Sequence, residues 1–166
     1  DYKGIMNIVE NNSERACGAN IMCEQADPYL DQINAAAWLD MGSYICSGAM
    51  VNNMNQDLTP YFLTANHCTD GSNPQGFRFY FNYYLTGCTS GQSMLNAHAY
   101  SSIIKSYCDC ITGSGENINI LGPDFSLLLI TDDIPSNWDV FYAGFNATEP
   151  TTMPLSVGVH HPGGDP

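Results

Sequence analysis

Positive charge is scarce in this chain: 4 Lys and Arg stand against 17 Asp and Glu, a formal net charge of −13. Phosphate binding needs clustered cations, so the balance argues against nucleic acid as a partner. It also repels anionic lipid surfaces, and no apolar run approaches the roughly 20 residues that span a bilayer, so membrane insertion is not expected. The charge would draw in basic substrates; solubility alone would account for it as well. Paired Cys-x2-Cys zinc spacings and internal repeats are absent. So are the basic start and apolar stretch of a signal peptide at Asp1-Tyr2-Lys3-Gly4. An export signal is expected to have been removed already or to lie outside this sequence.

What is present is a globular composition. The chain has 166 residues, 44% of them hydrophobic, enough to bury a core. Glycine and proline punctuate it often. Between them sit short runs rich in β-branched and aromatic residues, at 43–51, 61–65, 77–84, 97–104, 125–130, 140–144 and 155–159. Short strands at this spacing predict an all-β barrel or sandwich. Residues 29–40, with three consecutive alanines, have instead the composition of a helix. Segments 70–75, 86–92 and 113–123 read as loops. The polar residues 1–16 read as an arm or a pro-segment remnant. Seven cysteines scattered along the chain are distributed as disulfide cysteines are, and an odd count leaves a free thiol or a partner outside the chain.

Two motifs carry chemistry. In Tyr61-Phe-Leu-Thr-Ala-Asn-His67-Cys68 a strand ends on a histidine with a cysteine directly after it, and Cys46 closes an earlier strand before Ser47-Gly48. An ordinary buried histidine beside a disulfide would look the same. In Gly122-Pro-Asp124-Phe-Ser-Leu-Leu-Leu129 one acid opens an apolar strand. A carboxylate there is costly unless hydrogen-bonded, and a histidine partner would account for it; a turn-capping aspartate is the other reading.

Together these motifs resemble the trypsin-like (chymotrypsin-clan) serine peptidases, in which Thr-Ala-x-His-Cys carries the general base and Asp-Phe-Ser/Thr-Leu-Leu the aspartate, in the order His then Asp. The match is nearest to the bacterial lysyl endopeptidases. Cys17-Gly-Ala-Asn-Ile-Met-Cys23, Ser47-Gly-Ala-Met-Val-Asn-Asn53, Asn82-Tyr83 before Cys88, Phe141-Tyr-Ala-Gly-Phe145 and Val159-His-His-Pro162 are similar to segments of that family in the same order.

The resemblance implies an all-β, trypsin-like double β-barrel. The first barrel, at 17–130, would be complete; 131–166 would be a linker and the start of a second, with open-edged strands at 140–145 and 155–159. It implies strand over 33–39, with helix as the alternative. It implies His67 as general base and Asp124 as its orienting partner, and disulfides Cys46–Cys68 and Cys23–Cys88. Cys17 would then pair outside the chain, while Cys108 and Cys110 have no counterpart. The family's Gly-x-Ser-Gly nucleophile segment is absent; Thr112-Gly-Ser-Gly115 precedes the aspartate and is misplaced.

The expectation is therefore part of a secreted, extracellular serine endopeptidase acting on peptide or protein substrates. Its serine would come from beyond this chain, no cofactor is expected, and the chain alone would be inactive. Its partners would be the C-terminal half of the protease, through Cys17, or neighbouring subunits. Two alternatives stand beside it: a non-catalytic trypsin-like extracellular structural or adhesive module, and an unrelated disulfide-rich β module. His160 and His161, and the set His98, Cys108 and Cys110, are weaker candidates for metal ligation. Asn11-Asn-Ser13 and Asn146-Ala-Thr148 match the N-glycosylation pattern.

Overall fold

The computed structural model describes residues 19–93, 97–108, 111–112, 119–120, 122–146, 148 and 157–164. A 3-10 turn (Glu24–Tyr29) leads into helix α1 (Leu30–Ala35) and then seven strands of one antiparallel sheet. These are β1 (Ala36–Asp40), β2 (Ile45–Val51), β3 (Tyr61–Thr64), β4 (Arg78–Phe81), β5 (Ala97–Tyr100), β6 (Ser102–Cys108) and β9 (Phe125–Ile130). Between β3 and β4 lies a single helical turn, α2 (Asn66–Thr69). β7 (Ile111–Thr112) and β8 (Asn119–Ile120) form a separate two-stranded ladder.

The sheet order is β5-β4-β1-β2-β3-β9-β6. Its two edge strands, β5 and β6, are consecutive in the chain and separated only by Ser101, so the sheet must curl until its edges meet. Ser101 has φ 62 and is pinned there: its N–H donates to Phe77 O (3.0 Å), and its carbonyl accepts from Thr131 N (3.0 Å). The expected single strand at 97–104 is thus two, turned at a residue with no glycine signature. The other mixed region is 29–40. Its helical composition ends at Ala35, and strand begins at Ala36, so helix and strand each hold half.

Period-two alternation decides which faces are inside. β9 reads half-buried, buried, half-buried along its length, with Ser126, Leu128 and Ile130 turned inward. Leu39, Met50, Phe62, Phe77, Phe79, Phe81, Ala97 and Ala99 join Leu128 and Ile130 in one core cluster. Phe62 and Phe79 meet edge to face at 4.9 Å. Gly48 is required beside them, since a Cβ there would lie 2.5 Å from Leu63 O and from the Phe62 ring. The outer face of β1, β4 and β5 carries an aromatic row: Trp38 stacks between Tyr80 and Tyr83, each at 4.9 Å, and His98 follows Tyr80 at 5.5 Å.

Past β9 the ladder stops. The expected strand at 140–145 is not one: its only strand-like contact is an isolated parallel bridge, Val51 to Ala143. Ala143 N donates to Met50 O (2.9 Å) and Asn52 N to Ala143 O (2.8 Å). Val140 and Tyr142 pack on the core of the first sheet instead of beginning a second one. Residues 157–159, the described part of the other expected strand, have no regular structure. With no neighbouring strand, apolar alternation alone does not make a ladder.

Candidate active site

β3 delivers the chain to the site. Thr64 is its last residue, Ala65 stays extended (φ −78, ψ 148), and Asn66–Thr69 then turn once as α2, placing His67 at the sheet's end. β9 arrives antiparallel, with Thr64 opposite Ser126, so Asp124 emerges at the same end. The His67 backbone N–H donates to Asp124 Oδ1 (3.0 Å), and His67 Nδ1 hydrogen-bonds Asp124 Oδ2. The pair closes a separation of 57 residues. The His67 side chain is 67% exposed and that of Asp124 20%. One carboxylate thus holds both the backbone and the ring of the histidine, while Nε2 is left for another group.

Burial pushes the Asp124 carboxyl up. The hydrogen bonds from the His67 ring and backbone, the charge of that ring and the Asn66 backbone N–H together outweigh it, and hold the carboxyl below the ordinary aspartate value. Asp124 is therefore an anion at neutral pH, suited to fixing the ring tautomer with its proton on Nδ1.

Disulfides join Cys46 to Cys68 and Cys23 to Cys88, with Cα separations of 6.3 and 4.6 Å. The first ties the residue after His67 to β2. The second ties the start of the described chain to the loop beyond β4. Cys108 is also disulfide-bonded. Cys17 and Cys110 lie outside the described residues. The ligand atoms of Cys46, His67 and Cys68 lie within 4.8 Å of one another, but both sulfurs belong to a disulfide and offer no thiolate to a metal.

The other candidates disperse. His98 sits on the outer face against Tyr80 and Tyr100. His161 donates its backbone N–H to Ser47 Oγ (2.8 Å) and tilts its ring over Tyr83. Asn146 is exposed and accepts the Thr148 N–H at 2.9 Å; Asn11 lies outside the described residues.

Three further polar residues, Asn66, Thr69 and Ser126, lie beneath the pair, all buried and none assigned a role by the motifs. The available signal was a hydroxyl two residues after Asp124, at an inward position of an otherwise apolar strand.

Residues 11–166 match the sequence model of the lysyl endopeptidase C-terminal domain. The chain belongs to that family. It is 30% identical over 127 residues to a lysyl endopeptidase of Pseudomonas aeruginosa, an alignment covering 76% of this chain and 25% of the relative. The chain thus spans about a quarter of the relative's length. Among solved structures, the scabies mite inactivated protease paralogue S-D1 superposes with a TM-score of 0.41 at 15% identity, over 74% of this chain and 44% of that one. That likeness is too loose to bear on fold or chemistry. The lysyl endopeptidase family relationship makes this a protease-related chain. Among its described residues no helix is long and apolar enough to cross a membrane.

Proposed function

We propose that this chain supplies the histidine and aspartate of a secreted serine endopeptidase, hydrolysing peptide bonds by acyl transfer with a serine contributed by another part of the protein. The observation that carries the reading is the double hold of Asp124 on His67, through Nδ1 and the backbone N–H. With its proton fixed on Nδ1, the imidazole presents Nε2 as the base that takes the serine hydroxyl proton. It then returns that proton to the leaving amine, and Asp124 stabilises the imidazolium formed between the two steps. The Cys46–Cys68 bridge holds the adjacent backbone, so the ring need not be ordered when substrate arrives. The substrate class is a peptide or protein cut beside lysine, as the family description and the relative's name have it, and the net charge of −13 favours cationic substrates. Disulfides and family relationship both support an extracellular location.

The test is turnover of a lysyl peptide amide by the whole protein carrying this chain. Asp124→Asn is expected to lower turnover on the order of 10⁴-fold by presenting the wrong tautomer. The isolated chain is expected to hydrolyse nothing. Unchanged turnover in the Asp124→Asn protein would overturn the reading.

A further inference from the structure

Beneath the His67–Asp124 pair, three buried side chains touch one another. Thr69 Oγ1 lies 2.6 Å from Ser126 Oγ, Ser126 Oγ lies 3.1 Å from Asn66 Oδ1, and Thr69 Oγ1 lies 3.2 Å from Asn66 O. All three residues are at least nine-tenths buried: Asn66 is 7% exposed, Thr69 2% and Ser126 0%. The Ser126 hydroxyl is in reach of the Asn66 amide oxygen and the Thr69 hydroxyl of the Asn66 carbonyl, and either hydroxyl can donate across the Thr69–Ser126 contact.

The placement gives the chain of contacts a purpose. Asn66 immediately precedes His67, and its own backbone N–H faces the Asp124 carboxylate. Ser126 follows Asp124 by two residues on the inward face of β9. Thr69 closes the helical turn that carries His67. Among the described residues, the other hydrogen bonds tying α2 to the start of β9 are those that Asp124 accepts, because the β3–β9 ladder ends at Thr64 and Ser126. We propose that Asn66, Thr69 and Ser126 form a buried polar brace that bolts α2 to β9 and so sets the position of His67 against Asp124. They are positioning residues, acting through His67, and the proposal rests on the His67–Asp124 reading above.

Among the described residues, the other buried hydroxyls, of Thr64 and Ser102, donate to backbone carbonyls. Ser102 is as buried as Ser126, but its hydroxyl bonds Pro74 O (3.0 Å), away from the site. This residue provides the control.

Hydrogen exchange by NMR on this chain tests the brace, with the His67 backbone N–H and Nδ1–H as reporters. Ser126→Ala is expected to speed exchange of both about tenfold, the equivalent of one buried hydrogen bond. The amides pairing β1 with β2 should stay slow. Ser126→Thr, which keeps the hydroxyl, should restore protection. Ser102→Ala should lower thermal stability by a comparable amount without moving the His67 reporters. Equal effects of Ser126→Ala and Ser102→Ala on those reporters would overturn the brace and leave a merely structural serine. Asp124→Asn separates this failure from the larger one. If that substitution exposes the reporters and Ser126→Ala does not, only the brace falls. If Asp124→Asn leaves them unmoved, the His67–Asp124 pairing itself is wrong.

Discussion

Residues 36–130 and residues 131–164 have similar apolar texture in the sequence, yet among the described residues only those of the first region build a sheet. Every strand between Ala36 and Ile130 finds a neighbour, whether local, as Asp40 opposite Ile45, or distant, as Thr64 opposite Ser126. Beyond Ile130 no described residue joins a named strand. Val140 and Tyr142 lean on the finished core, and Ala143 is held by one bridge to Val51. The difference shows that alternation specifies which face a strand buries, while ladder formation needs a partner within reach. The first region carries the sheet, and the described residues 140, 142 and 143 of the second lie against it.

That contrast is open to measurement. Phe79→Ala empties the middle of the first region, where Phe79 is fully buried against Phe62. By urea unfolding it should cost about 3–5 kcal/mol. Phe145→Ala, at a residue 63% exposed in the second region, should stay within about 0.5 kcal/mol. Comparable costs at the two sites would erase the distinction.

The covalent ties sharpen it, since neither the Cys23–Cys88 nor the Cys46–Cys68 disulfide reaches past Ile130. Removing Cys23–Cys88 as a serine pair should cost about 4 kcal/mol and removing Cys46–Cys68 about 3 kcal/mol, following loops of 65 and 22 residues. Thermal unfolding of the two variants checks the order. A reversed order would mean that the clamp beside His67 stabilises native packing more than it restrains the unfolded chain.

The smallest effect is expected at the site. Because Asp124 is held below the ordinary aspartate value, its contribution to stability is complete above the unfolded chain's pKa of about 3.9. It is lost as pH falls through the lower folded value. Urea midpoints measured at neutral pH and again in acid should therefore fall further for the native chain than for Asp124→Asn. Parallel losses would show that the carboxylate is no better held folded than unfolded.

The legible parts of this molecule are those where one short pattern decides the outcome. Phe125–Ile130 announces a strand by alternation, and the segments bearing His67 and Asp124 stand out by residue type and order. The illegible parts depend on partners. Composition cannot find the helix-to-strand boundary between Ala35 and Ala36, because alanine suits both. The turn at Ser101 comes from joining the two edge strands of a curled sheet through one residue, which holds φ 62 there without a glycine. Asn66, Thr69 and Ser126 read singly as ordinary polar residues, and only the fold brings them together.

The meeting of β3 with β9 also sets a schedule. The β1–β2 and β2–β3 hairpins close over short loops, whereas the His67–Asp124 contact must gather residues 57 apart. Contacts between residues far apart in sequence form against a larger loop-closure entropy, and folds rich in them assemble slowly. The hairpins and their local turns can form early and reversibly while the imidazole has no carboxylate beside it. The pair is thus expected to form after the hairpins, once the distant strand β9 is seated beside β3.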